Sequence, residues 1–280
     1  MRLQCGRFLL DLDRPVVMGV INVTPDSFSD GGRFLELPAA LARAQELVAE
    51  GAAIVDVGGE STRPGAAPVD DVEELRRVIP LIERLAGSLA VPVSVDTRKP
   101  LVMRRAIEAG ASLVNDVSAL ATPGALEAVA ESAAAACLMH MQGEPRTMQD
   151  APHYIDVVGE VRAFLKARVA ACERAGIPRS RLLVDPGFGF GKSLEHNLAL
   201  LRGLRDIAAD GVPVLAGLSR KRMISVLTGR NDGDRLGGSL AAALIAVMNG
   251  ARIIRAHDVR ETVDALRVVA EASALRDNPA

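Results

Sequence analysis

Val16-Val17-Met18-Gly19-Val20-Ile21-Asn22-Val23 is an apolar, largely β-branched run that stops at a polar residue just ahead of a loop rich in Ser, Asp and Gly. Such a run reads as a buried strand. Downstream, Pro38 to Glu50 carries Leu41, Ala44, Leu47 and Val48 on one helical face before Gly51 stops it, and Ile54 to Val57 is a second short strand. The same alternation continues: Asp71 to Leu85 then Pro92 to Val95, Pro100 to Ala109 then Leu113 to Asn115, Gly124 to Ser132 then Ala136 to Met139. Ile155 to Ala175 leads to Leu182 to Val184, Leu194 to Ala208 to Val214 to Ala216, and Arg220 to Leu227 with Ser239 to Met248 to Ile253 to Arg255, before a last helix from Arg260 to Ala270.

Eight βα units without a long linker favour one closed α/β barrel, a TIM (β/α)8 fold, over the alternative of a doubly wound open sheet. Such a barrel needs about 250 residues, so the 280-residue chain is expected to be a single domain, 1–280. Residues 1–14, with Leu3, Phe8, Leu9 and Leu10 among charges, are expected to form a hairpin that plugs the barrel's bottom. The strands stop at Asn22, Asp56, Asp96, Asn115, His140, Asp185, Ser219 and Arg255. In a parallel barrel these tips converge on the catalytic mouth. Acids, amides, a hydroxyl and cations gathered there suit a flat, nitrogen-rich substrate with an anionic leaving group.

Composition narrows the function classes. Hydrophobic residues make up 49% of the chain, enough for a sizeable core, and 33 basic against 35 acidic residues are interspersed, so no field suited to nucleic acid or an anionic membrane is evident. The longest apolar stretch, Leu240 to Met248, is far short of the about 20 residues that cross a bilayer. Cys5, Cys137 and Cys172 are odd in number and lack metal spacing, which points to a reducing cytoplasm. His140, His153 and His196 have no zinc-type spacing. Gly187-Phe188-Gly189-Phe190-Gly191-Lys192-Ser193 ends like a nucleotide-binding P-loop, but Pro186 holds the required first glycine position, so ATP is not expected there.

Two loops exceed ordinary connections: Asn22-Val23-Thr24-Pro25-Asp26-Ser27-Phe28-Ser29-Asp30-Gly31-Gly32 and Gly58-Gly59-Glu60-Ser61-Thr62-Arg63-Pro64-Gly65. Together with Ser94-Val95-Asp96-Thr97, Asn115-Asp116-Val117-Ser118, Asp185-Pro186-Gly187-Phe188-Gly189-Phe190, Ser219-Arg220-Lys221 and Arg255-Ala256-His257-Asp258, they resemble the motifs of the bacterial dihydropteroate synthases over nearly the whole chain. That family is a set of transferases that join 4-aminobenzoate to a dihydropterin diphosphate in folate biosynthesis, and sulfonamides mimic the aminobenzoate.

The chemistry of the residues agrees with the resemblance. A carboxylate that accepts two N–H bonds from a pterin's amide and amidine edge makes a strong, charge-assisted pair, and Asp185 is the candidate. Asn115 offers one donor and one acceptor group, Asp96 can accept from the other ring, and Lys221 can donate to a ring nitrogen or carbonyl oxygen. Phe190, Met139 and the planar Arg255 can cover the ring faces. Arg255 and His257, two apart on the last strand, are expected to clasp the diphosphate, with Ser61 and Thr62 donating from the second loop. Asn22 is expected to give its amide oxygen to Mg2+, an ion that needs few protein ligands when phosphate and water complete its shell.

The resemblance further implies a dissociative substitution in which Asp96 and Asp30 stabilise a pterin-centred cation. Phe28 and Pro64 would wall the aminobenzoate ring, Asp30 would meet Arg63, and Ser219, expected at a helix start, would take the aminobenzoate carboxylate. It also implies a homodimer through the last helices, around Gly237 to Gly250. Two other classes compete: a methyltransferase that moves a methyl group from a folate to a corrinoid, and a non-catalytic pterin binder. The first has no use for the two long loops, and the second could spare Asn22, Arg255 and His257.

Overall fold

The computed structural model describes residues 1–23, 36–61, 68–144, 147–231 and 233–274. The N-terminal residues form an antiparallel hairpin, β1 (Arg2–Cys5) with β2 (Phe8–Asp11), paired Leu3 to Leu10. Eight parallel strands then close on themselves: β3 (Val16–Asn22), β4 (Ile54–Gly58), β5 (Val93–Asp96), β6 (Leu113–Asp116), β7 (Ala135–Met139), β8 (Leu182–Asp185), β9 (Val214–Gly217) and β10 (Ala251–Ala256), with β10 paired to β3. Closure removes both sheet edges and settles the choice against an open sheet.

The helices between them are α1 (Glu36–Ala49), α2 (Asp71–Ser88), α3 (Pro100–Glu108), α4 (Ala125–Ala130), α5 (Val157–Arg174), α6 (Leu194–Arg202), α7 (Leu204–Ala208), α8 (Arg222–Thr228), α9 (Leu236–Met248) and α10 (Val259–Ala274). Local signals fix their starts. Asp70 caps α2 by accepting from Glu73 N at 2.8 Å, and Ser193 and His196 form a reciprocal capping box on α6. The helix expected from Leu194 to Ala208 is two pieces that meet at Gly203, whose backbone leaves helical geometry (φ −88°, ψ 11°) and where an added Cβ would sit 2.8 Å from Val158 of α5.

The strands obey a period of two, and this sorts the core into two bodies. Val17, Ile21, Val55, Val57, Val93, Val95, Val114, Ala136, Leu138, Val184, Ala216 and Ile254 face outward into the helix layer. Met18, Ile54, Leu113, Ala135, Cys137, Leu183, Leu215 and Ile253 face inward and pack with Leu3, Cys5 and Leu12, all fully buried. The hairpin therefore plugs the bottom of the barrel, as its apolar residues predict. Further along six of the strands, from β5 to β10, the inward positions at the opposite end are held by Asp96, Asn115, Met139, Asp185, Gly217 and Arg255. The barrel is an apolar plug beneath a polar cup.

Candidate active site

One cleft at the strands' C-terminal ends is lined by Asp96, Asn115, Val117, Met139, Asp185, Phe188, Phe190, Gly217, Ser219, Lys221, Arg255 and His257. Asp96, Asn115, Asp185, Lys221, Met139, Phe190 and Arg255, expected around one bicyclic ring, thus come from six strands or their following loops and face one cavity. Lys221 Nζ lies 4.1 Å from the centroid of the Phe190 ring, so cation and aromatic face are pre-placed side by side. Gly187 N donates to Asp185 Oδ1 at 2.7 Å, fixing that carboxylate's orientation.

Arg255 is the electrostatic hub. Its Nε donates to Asp56 Oδ2 at 2.6 Å and its Nη2 to Asp96 Oδ2 at 2.8 Å, so the guanidinium reaches from β10 across the cup to β4 and β5. Asp56 is fully buried and also accepts from Asn115 Nδ2 at 3.1 Å. Asp56 marked a strand stop in the sequence without a role in the site. It lies in mid-strand, one inward step below the rim, where it orients both Arg255 and Asn115. No local signal distinguishes such a residue from a rim acid.

Burial shifts the charged groups toward neutrality, and their neighbours oppose it. It raises Asp185, while the Gly187 N–H and the charges of Lys221, Lys192 and Arg255 pull it back. It raises Asp96, with Arg255 opposing and Asp56 reinforcing the rise. It lowers Lys221 to about 8, Asp185 opposing. For Arg255, burial works against the charge, yet Asp56 and Asp96 overcome it and hold the group protonated.

At the rim, His257 Nδ1 lies 3.1 Å from Ser219 Oγ, which also accepts from His257 N at 3.3 Å. His257 and Ser219 are thus one hydrogen-bonded unit. The helix start expected at Ser219 is displaced: α8 begins at Arg222, and Ser219 sits in the preceding turn. The free N–H groups of that helix therefore do not support the anion-binding role expected of Ser219. His140, expected at a strand tip, follows the last residue of β7 and is 7% exposed. Asn22 ends β3 opposite Gly58, and an added Cβ on Gly58 would lie 3.6 Å from both Asn22 Oδ1 and Asp96 Cβ, so the two side chains flank one glycine at the mouth.

Ser61 is half-buried three residues beyond β4. The base of its loop is clasped by Lys99, which donates to Glu60 Oε2 at 3.0 Å and to Glu74 and the Val69 carbonyl. Phe28, Asp30, Thr62, Arg63 and Pro64 lie outside the described residues. Among the described residues no group of three or more His, Cys, Asp or Glu is placed to hold a metal ion.

Residues 18–257 match the model of a family described as pterin binding enzyme. The dihydropteroate synthase of Escherichia coli (strain K12) is 53% identical over 269 residues, covering 96% of this chain and 95% of the relative. The Xanthomonas albilineans dihydropteroate synthase solved with 4-aminobenzoic acid superposes with a TM-score of 0.92 at 56% identity, covering 98% of both chains. The same organism's enzyme in complex with 7,8-dihydropteroate gives 0.90 at 53% identity, over 98% of this chain and 99% of that one. A cup with this polar lining, on a chain this similar over almost its entire length, belongs to the pterin-binding enzyme family, among its dihydropteroate synthases.

Proposed function

We propose that the chain condenses 4-aminobenzoate with (7,8-dihydropterin-6-yl)methyl diphosphate to give 7,8-dihydropteroate and diphosphate, the folate-forming transfer. One observation carries this reading: Asp96, Asn115, Asp185 and Lys221 line one cleft with Met139 and Phe190, in a chain whose relatives are solved with 4-aminobenzoic acid and with 7,8-dihydropteroate.

Asp185 accepts two N–H bonds from the pterin's amidine edge, Asn115 supplies a further donor and acceptor, and Lys221 donates to the ring's acceptor side. Phe190 and Met139 cover the ring. Arg255, committed through two of its nitrogens to Asp56 and Asp96, presents a rigid planar cation at the rim. With His257, and with Ser61 and Thr62 from the second loop, it meets the negative charge that gathers on the departing diphosphate. The carbon that bears the diphosphate adjoins an electron-rich ring, so the C–O bond breaks first and the cation spreads over the pterin. Asp96 and Asp30 stabilise it before the aniline nitrogen attacks, and loss of the N–H proton completes the product. The aminobenzoate subsite is assigned to Ser219 together with Phe28, Arg63 and Pro64, which lie outside the described residues.

The donor set fits Mg2+. Asn22 places a hard amide oxygen at the mouth beside Asp96, and an ion completed by phosphate oxygens and water needs only one or two protein ligands. When bound, Mg2+ would neutralise charge on the diphosphate. Exposed apolar side chains on α8 and α9, among them Val226, Leu227, Ile245 and Met248, support a homodimer through these helices. The three free, buried cysteines suit a reducing cytoplasm. No helix among the described residues is long and apolar enough to cross a membrane.

The test combines purified protein, Mg2+, the pterin diphosphate and radiolabelled 4-aminobenzoate. Labelled dihydropteroate with equimolar diphosphate is expected; release of diphosphate without coupled product would overturn the assignment.

A further inference from the structure

The lysine that gives Gly187 to Ser193 its look of a phosphate-binding loop is turned away from solvent. Lys192 is 3% exposed, and its Nζ lies 3.0 Å from His140 Nδ1, 2.9 Å from the Phe190 carbonyl oxygen and 3.3 Å from that of His140. An ammonium has three N–H donors and no acceptor. These three contacts match them one for one.

The acceptors belong to two neighbouring loops. His140 directly follows Met139, and its backbone N–H donates to the Asp185 carbonyl at 3.0 Å; Phe190 lies in the loop after β8. Burial and the adjacent lysine push His140 down to about 3, so its ring is neutral, and against an ammonium that can only donate its Nδ1 takes the acceptor role. The backbones already meet closely there. An added Cβ on Gly187 would fall 1.9 Å from the His140 carbonyl oxygen, and one on Gly191 would fall 2.2 Å from that of Gln142. Tyr154 Oη donates to the Gly191 carbonyl at 2.9 Å and closes the far side.

We infer that Lys192 is a positioning residue for the pterin subsite: its three donors clamp the loop after β8 onto the end of β7, and so hold Phe190, Met139 and Asp185 in the arrangement that grips the ring. The inference rests on the pterin reading above. Nothing in it requires Lys192 to touch the ligand. The charged and titratable groups that face it are His140 just after β7, Asp185 from β8, Lys221 ahead of α8 and, around the loop, Tyr154. Burial dominates among these influences and brings Lys192 down to about 7, with Asp185 opposing. Loss of the proton leaves two N–H donors for three acceptors and loosens the clamp. By linkage, a ligand that needs the clamped loop must raise the proton affinity of Lys192.

The chain has only four lysines, Lys99, Lys166, Lys192 and Lys221, so 13C labelling of lysine Cε resolves each one in the full-length protein. The Lys192 signal, identified by its loss in Lys192→Arg, is expected to titrate near neutrality and to move to higher pH when uncharged 6-hydroxymethylpterin saturates the site. Lys192→Met is expected to weaken binding of that pterin about tenfold, the order of one lost hydrogen bond from a charged donor. A midpoint unmoved by the pterin, or a folded Lys192→Met that binds it as tightly as the wild type, overturns the inference while leaving the function intact. A wild-type protein that fails to bind pterin brings down both.

Discussion

Replacing Arg255 by Met would remove the cation that two buried carboxylates share while keeping much of the apolar stem. Asp56 is fully buried, and among the described residues its Oδ1 accepts no hydrogen bond, so its charge is compensated by Arg255 Nε at 2.6 Å and Asn115 Nδ2 at 3.1 Å. Asp96 loses its 2.8 Å partner in the same step. Breaking one side of a buried pair costs about 3–5 kcal/mol, a large fraction of the roughly 5–15 kcal/mol that stabilises a domain. The pH dependence carries the sign. Without Arg255, burial and the neighbouring Asp56 raise the Asp96 carboxyl further above its unfolded value of about 3.9. The resulting penalty is absent where both states are protonated and accumulates as pH rises through the gap between unfolded and folded values. Urea unfolding at about pH 8 should therefore show the full loss, and at about pH 5.5 a smaller one. Adding Asp56→Asn should recover part of the loss, since the uncompensated charge is then gone. A loss under about 1 kcal/mol at the higher pH, the worth of an exposed ion pair, or an equal loss at both pH values would refute the hub.

Asp185→Asn should weaken binding of the pterin diphosphate by about 1.5–3 kcal/mol in calorimetry, the worth of a hydrogen bond to a charged group; unchanged affinity would place it outside the pterin site. Gly187→Ala sets a methyl group 1.9 Å from the His140 carbonyl oxygen at a φ of +69°, so both melting temperature and pterin affinity should fall, and a variant with wild-type values would show that this approach is not required. Arg63→Ala should raise the KM for 4-aminobenzoate and spare pterin binding, with equal losses for both ligands contradicting its subsite.

Much of this protein is determined locally. Glycine stops such as Gly51 and Gly110, caps such as Asp70, and β-branched runs ending in a polar residue are short-range signals, and they place all eight barrel strands to within one or two residues. Rim residues such as Asp185 and Asn115 are legible for the same reason: a polar group at an inward-facing position near the end of an apolar strand points into the barrel's mouth. A break inside Leu194 to Ala208 was not expected, and the glycine that marks it, Gly203, is also where Val158 of another helix comes close.

The tertiary structure decided which charge meets which. Asp56 and Arg255 are 199 residues apart, and only closure of β10 against β3, with the stagger of the strands between β3 and β5, lets one guanidinium reach two carboxylates. Lys192 shows the same limit from the other side. Its neighbours in sequence only partly resemble a phosphate loop and say nothing of where its ammonium goes, while acceptors 52 and two residues away draw it inward. Sequence sets the propensity and alternation of each segment, since these depend on residues a few places apart. Burial and electrostatic pairing depend on strand register around the closed ring, and no local pattern encodes that.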